Sequence, residues 1–427
     1  MRDLAVFLAV FGTLPFILAR PWVGILVLSW IGYMNPHRLA WGFAYDFPFA
    51  QVVAMTLFLS ILLSKEPKRI PWTRETVVLL LFTLWMLVST IDAQFSYLAW
   101  EQWDKVWKIQ LIVFLTLMLI TDKQRITLLV WVIVLSIGFY GVKGGLFTIF
   151  TGGSSRVLGP PQSFIETRGA IALALNMVIP LMRYLQLQTQ NPSARMAFTL
   201  AIGLTVFAVV GTQSRGGLLG LLTMGAMLTL KTRGAALFAV FGAVVLALAF
   251  YFMPAQWKER MEMLTTPEQT AQQDASARQR IDAWSFGYYK ALSEPLTGGG
   301  FEVYVEHGVE AHSIWFEVLG EQGFIGFGLY LVLWLTTWRS ASRIIKIVGK
   351  RQDIRWMRDL AAMIQASLIA YAAGGSFLGL AYFDFFYTLI ALIVICKVLL
   401  NKALAEESAE YSTPIGNYPR PDNRAVL

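Results

Sequence analysis

His312 is the residue of this chain best placed for acid–base chemistry. It is one of three histidines, with His37 and His307. An imidazole titrates at about pH 6.5 and accepts a proton from a hydroxyl near neutrality. Arg278 and Arg280 precede it, and nearby cations would hold the ring neutral, as a general base requires. A lone histidine is more often structural. This one stands directly before a long apolar helix, in the zone of several arginines. Glu302, Glu306, Glu310 and Glu317 are close enough in sequence to orient it, and spacing does not choose among them.

A second set of residues suits an anionic ligand. Lys108, Lys143, Arg168 and Arg215 stand at or inside the ends of apolar stretches. Charge is costly there and usually faces a cavity or a partner; the bland alternative is snorkelling to lipid headgroups. Arg215 lies in the small-residue corner Gly211-Thr-Gln-Ser-Arg-Gly-Gly217. Glycines allow close backbone approach, and a guanidinium forks onto phosphate oxygens. Arg168 follows Glu166-Thr167 and precedes Gly169 in a similar setting. Arg278 has Asp282 four residues on as a helix-face partner, whereas Arg280 falls on another face. Cations converging on one face predict a pyrophosphate ligand, with an anionic lipid headgroup site as the alternative.

Other chemistries find little support. There is no His-Glu-x-x-His, no cysteine pair and no Asp-x-Asp, so no metal is expected. Leu296-Thr-Gly-Gly-Gly-Phe301 lacks the preceding strand and following lysine of a nucleotide-binding loop. It reads as a flexible bend that returns the chain over the membrane. No nucleophile elbow is present. The single cysteine, Cys396, excludes an intrachain disulfide. No cofactor is expected.

These residues need a scaffold, and composition says which. Of the 427 residues, 56% are hydrophobic and 15% charged, with mean hydropathy +0.57. Soluble proteins carry roughly 25% charged residues. Apolar runs of membrane length recur without the alternation of a β-barrel. The expected fold is an all-α polytopic membrane protein. Apolar stretches lie at 4–34 and near 48–64, 76–92, 105–121, 126–150, 169–186, 196–212, 214–231, 235–253, 318–339, 358–377 and 379–400. The first is broken at Pro15 and Arg20-Pro21, so it is one kinked span or two half-spans. Counting it once gives about twelve transmembrane helices with both termini inside. The basic loops around Lys65–Arg74, Lys123–Arg125, Arg183–Arg195, Lys231–Arg233 and Arg339–Arg358 are then cytoplasmic. The net charge of +8 sits mostly in those loops and implies no nucleic acid.

The chain divides into an N-terminal transmembrane bundle (1–253), a large, mainly helical polar insert (254–317), C-terminal transmembrane helices (318–400) and a polar tail (401–427) read as disordered and cytoplasmic. The insert is the expected catalytic part, on the face opposite the basic loops. A transporter of an anionic lipid or solute is the competing class. It would show internal repeats or broken helices at mid-membrane, and no clear repeat is visible.

His312-Ser313, nine residues, then Gly323-x-x-Gly326 is similar to the pattern His-[Asn/Ser/Gln]-x9-Gly-x-x-Gly of the O-antigen ligase family. The span count, the late polar insert and the arginines of one face also resemble that family, over roughly residues 50–400. Protein O-oligosaccharyltransferases and O-antigen polymerases share the superfamily. Gly141-Val-Lys-Gly-Gly145 and Asn35-Pro36-His37-Arg38 resemble the branch of O-glycosylation ligases associated with exosortase systems. The resemblance implies transfer of an O-antigen glycan from undecaprenyl pyrophosphate to a sugar hydroxyl of lipid A–core. Transfer would occur at the periplasmic face of the bacterial inner membrane, among membrane lipids and without nucleotide sugar, ATP or metal. It implies His312 as the group that activates the acceptor hydroxyl. Arg215 and Arg280, with Arg168 and Lys108 as further candidates, would bind the donor pyrophosphate. A single displacement would invert the anomeric centre.

Overall fold

The computed structural model describes residues 1–231, 275–305 and 308–412, together with residues 243, 244, 247 and 251. These residues are helices and connections, with no strand among them. In chain order the helices are α1 (Arg2–Ala19), α2 (Pro21–Met34), α3 (Phe49–Leu63), α4 (Arg74–Ile91), α5 (Ser96–Leu119), α6 (Lys123–Phe150), α7 (Arg168–Gln188), α8 (Pro192–Gly211), α9 (Arg215–Lys231), α10 (Ala275–Ser293), α11 (Ile314–Val348), α12 (Arg355–Gly375) and α13 (Asp384–Ser412). Among the described residues, α1, α4, α6, α7, α8, α11 and α13 are long and apolar enough to cross a membrane. Such a set fits a multi-pass membrane protein. Most of the stretch expected at 235–253 and the start of the insert, 254–274, lie outside the described residues, as does the tail beyond 412.

Three expectations change. The first concerns residues 4–34, counted above as one kinked crossing. Arg20 is extended (φ −144°, ψ 97°) and Pro21 opens α2. A single rod over 2–34 would be about 50 Å long. Instead the Asp3 carboxylate accepts from the amides of Gly42 (2.9 Å) and Ala44 (3.2 Å), just beyond α2. Two helices whose outer ends meet form a hairpin, so the N-terminus lies on the side of residues 35–47. Pro21 cannot continue a ladder from α1, because its nitrogen carries no hydrogen. Secondly, α5 begins at Ser96, before the expected 105, with a charged first half. Thirdly, α13 continues to Ser412, so residues 401–412 are helical where a disordered tail was expected.

The ends of the bundle separate by charge. At one end Arg125 pairs with Glu66 (2.9 Å), Arg351 with Glu407 (2.8 Å), and the Lys123 ammonium lies 5.6 Å from the Trp356 ring centre. Near the same end Lys397 and Ser340 both bind the buried Glu75 carboxylate, joining α4, α11 and α13. These residues belong to the basic connections read from the sequence or border them. The other end collects residues 35–47, 92–95, 151–167, 212–214 and 294–313.

α7 is the central helix: 89% of its apolar window is buried inside the protein. It packs against α6, α8, α9 and α12. Asn176 Nδ2 donates to the Gly217 carbonyl of α9 at 2.7 Å, and Ser367 Oγ of α12 donates to the Met177 carbonyl at 2.7 Å. A Cβ on Gly217 would lie 2.6 Å from that of Ala172, so the glycine sets how closely α9 approaches α7. That closeness fixes where α7 and α9 begin.

Candidate active site

A cavity of about 260 Å³ lies at the less basic end of the bundle. Arg168, Arg215, Arg280 and His312 all line it, though they are scattered over 145 positions of sequence from 168 to 312. Lys108 does not. It sits on α5 in an exposed pair with Asp104, four residues earlier, at 2.6 Å.

The cavity is built where helices begin. Thr167 caps α7, its hydroxyl accepting from the Ala170 amide at 3.2 Å, and Arg168 is the first residue of the helix. α8 ends at Gly211. Thr212 and Gln213 reverse the chain, Gln213 with a left-handed φ of 54°. Ser214 then caps α9, accepting from the Gly217 amide at 3.2 Å, and Arg215 opens that helix. His312 lies two residues before α11. Three helix N-termini therefore meet at one cavity. Each carries a partial positive charge of about half a unit from the helix dipole, and anions bind at such ends. The three arginines add full charges to the same place.

Aromatic packing places the fourth element. On α10, Trp284 stacks on Phe316 (5.4 Å between centroids, 10° between planes) and tilts against Phe377 at 6.2 Å. One turn earlier, the Arg280 guanidinium lies 5.9 Å from the Phe377 centroid. α10 is thereby held against the start of α11 and the connection after α12. That connection is fixed in turn: Trp315 Nε1 donates to Ser376 Oγ (2.9 Å), and Glu317 accepts from the Ala381 amide (2.9 Å).

His312 has φ 49°, a left-handed conformation that non-glycine residues seldom adopt. Such a conformation costs about 1–3 kcal/mol and persists where surrounding structure imposes it. The side chain is 28% exposed, and Nδ1 lies 3.6 Å from a Glu310 oxygen, too far for a hydrogen bond. Burial lowers its pKa below the usual histidine value; Glu310 opposes this and Arg280 reinforces it. The expected neutral imidazole thus arises first from burial and only then from a cation. Among the described residues, Glu310 is the acid whose carboxylate lies beside the ring. Glu317 accepts from the Ala381 amide, and Glu306 lies outside the described residues.

The glycine run is a docked turn, where a flexible bend was expected. Gly323 (φ 64°, ψ −170°) breaks α11 after its first nine residues. The carbonyls released by the break need partners. Gly299 and Gly300 donate their amides to the Gly320 and Glu321 carbonyls at 2.9 and 3.0 Å. Ser89 and Trp85 of α4 reach the Glu321 and Gln322 carbonyls at 2.8 and 3.0 Å. A Cβ at Gly323 would lie 2.2 Å from the Leu296 carbonyl oxygen, so only glycine fits. The two glycine motifs are thus one joint, and it aims the short helix that follows His312.

Sequence reasoning missed Gln213, Ser214 and Phe377 as lining residues. Gln213 and Ser214 lie inside the quoted Gly211–Gly217 corner, which was their only signal. Phe377 gave none beyond its place between two apolar stretches.

Residues 1–190 match a family model described as a family of unknown function, DUF5935. Residues 200–331 match a family model described as O-Antigen ligase. A search of curated proteins finds no match. The cavity draws Arg168 from the first matched segment and Arg215, Arg280 and His312 from the second, which also contains Gly323 and Gly326. The match over residues 200–331 supports the O-antigen ligase family.

Proposed function

We propose that the protein is a membrane glycosyltransferase. It transfers O-antigen polysaccharide from undecaprenyl pyrophosphate to a sugar hydroxyl of lipid A–core at the periplasmic face of the inner membrane. The family match over residues 200–331 supports an enzyme of the O-antigen ligase type acting on a lipid-linked glycan donor and a lipid acceptor. The observation that carries the finer reading is the meeting of three arginines and His312 at three helix N-termini.

In this reading Arg168, Arg215 and Arg280 hold the pyrophosphate. The acceptor oxygen attacks the anomeric carbon as the bond from that carbon to the pyrophosphate oxygen breaks. The electron pair leaves with undecaprenyl pyrophosphate, whose growing charge the arginines and helix ends stabilise. The hydroxyl proton passes to His312. With Nδ1 toward Glu310, Nε2 is the nitrogen left to receive it. One displacement inverts the anomeric centre. The cavity of about 260 Å³ is just below the roughly 300–1,000 Å³ of small-molecule sites. It suits a diphosphate and the reacting sugar, with the rest of the polysaccharide outside. A cluster of arginines repels a divalent cation, so the arginines take the charge-stabilising role that a metal has elsewhere, and the proposed transfer is metal-independent.

The test is to incubate the purified protein with lipid-linked glycan and either lipid A–core or a peptide. Glycosylated lipid A–core with inverted linkage is expected, at a rate unchanged by EDTA. Glycosylated peptide alone would replace the acceptor, and a retained linkage would refute the single displacement.

A further inference from the structure

A second cavity, of about 320 Å³, lies beside the first at the same end of the bundle. It shares no lining residue with the first. Its cations are Lys143 on α6 and Arg156 in the α6–α7 connection, and among the described residues its lining contains no aspartate or glutamate. The remaining wall is mostly apolar, including Tyr140, Phe147, Val157 and Leu158. Beside it α6 exposes Phe139, Leu146, Phe147, Ile149 and Phe150, a face suited to lipid chains.

Two cations above an apolar wall, next to a lipid-facing helix, match an anionic amphiphile: charge for the head and apolar surface for the chains. Arg156 donates from Nε to Gln213 Oε1 at 3.3 Å. Its two terminal amino groups donate to no other described residue, which leaves them for a phosphate. Gln213 is buried, is held from the other side by the Gly153 carbonyl (2.9 Å), and lines the first cavity. The hydrogen bond from Arg156 to Gln213 thus links a lining residue of the second cavity to one of the first.

We infer that the second cavity is a separate binding site for the phosphate head of a membrane lipid, joined to the first cavity through Arg156 and Gln213. The site is defined by binding alone, so the inference stands whether or not the first cavity transfers sugar.

The test uses the full chain in phosphatidylcholine nanodiscs containing a small fraction of photoactivatable phosphatidic acid, with the labelled residues mapped by mass spectrometry. Label is expected within residues 139–161. It should fall about tenfold or more in the Lys143→Gln/Arg156→Gln double variant, as two charge-assisted contacts are lost. The charge-keeping Lys143→Arg variant and the first-cavity variant Arg215→Gln should label like the parent. Equal labelling by a neutral photoactivatable diacylglycerol would overturn the inference, leaving an apolar groove. Full competition by inorganic phosphate would overturn it in favour of a free anion. Parental labelling of a double variant whose melting temperature is unchanged would also overturn it.

Discussion

The Arg280 guanidinium lies 5.9 Å from the centre of the Phe377 ring. Arg280 comes from α10, before the His312 motif, and Phe377 from the connection that follows α12. The contact therefore joins the polar insert to the helical scaffold. Trp284, stacked on Phe316 and tilted against Phe377, packs across that junction. Replacing Trp284 with alanine should weaken donor binding by loosening Arg280, while Trp284→Phe should restore most of it. A steady-state comparison checks this: KM for the donor should rise more than kcat falls. An equal loss in both variants would point to a role for the indole itself.

Arg215→Lys keeps the charge and loses the fork that matches a phosphate. Removing one stabilising donor at a reacting oxyanion costs about a hundredfold to a thousandfold in rate. We expect Arg215→Gln to fall in that range and Arg215→Lys to lose most activity as well. Parental activity in Arg215→Lys would refute pyrophosphate clamping by this residue. Lys108→Gln is the contrasting variant. Its exposed pair with Asp104 is worth roughly half a kcal/mol or less, so transfer should stay within about twofold of the parent.

The pH dependence follows from the sign of the His312 shift. A general base works when neutral, so activity should be low in acid and rise to a plateau. Burial lowers the His312 pKa, which moves that rise below the ordinary histidine range. Glu310 pulls the other way, so Glu310→Gln should shift the rise to still lower pH. A pH–rate profile of both proteins measures this. An upward shift in Glu310→Gln would contradict the assignment.

The joint between the glycine run and α11 predicts a stability effect. Ser89 is fully buried and its hydroxyl meets the carbonyls of Thr297 (2.7 Å) and Glu321 (2.8 Å). Ser89→Ala removes this hydroxyl bridge, leaving the Glu321 carbonyl to the Gly300 amide, and should cost about 0.5–1.5 kcal/mol. Gly323→Ala should cost more, because its Cβ has no room beside Leu296. Thermal unfolding in detergent ranks the two, and the order Gly323→Ala below Ser89→Ala below parent is expected.

Much of this was visible in the chain. Hydropathy located the apolar helices because each must satisfy its own backbone in lipid. His312 and Arg215 stood out because a charge or imidazole at the end of an apolar stretch needs a reason. What escaped were relations between distant segments. The hairpin of α1 and α2 rests on Asp3 meeting Gly42, and a break at Arg20-Pro21 alone does not say whether the chain bends slightly or turns back. Gly298-Gly299-Gly300 read as flexible, because its partners at Gly320 and Glu321 lie some twenty residues on and are backbone atoms. Lys108 looked like its neighbours in charge and position, yet it faces Asp104 and not the cavity. Helix-end position identified the cations; only packing selects the ones that converge.

In the proposed reaction one cavity both binds the donor and activates the acceptor, with the tasks divided between the arginines and His312. Donor affinity and single-turnover transfer, measured on His312→Ala and Arg215→Gln in nanodiscs, test it directly. His312→Ala is expected to bind undecaprenyl pyrophosphate like the parent and transfer nothing, whereas Arg215→Gln is expected to lose donor affinity and transfer together. Transfer at the parental rate by His312→Ala would contradict it.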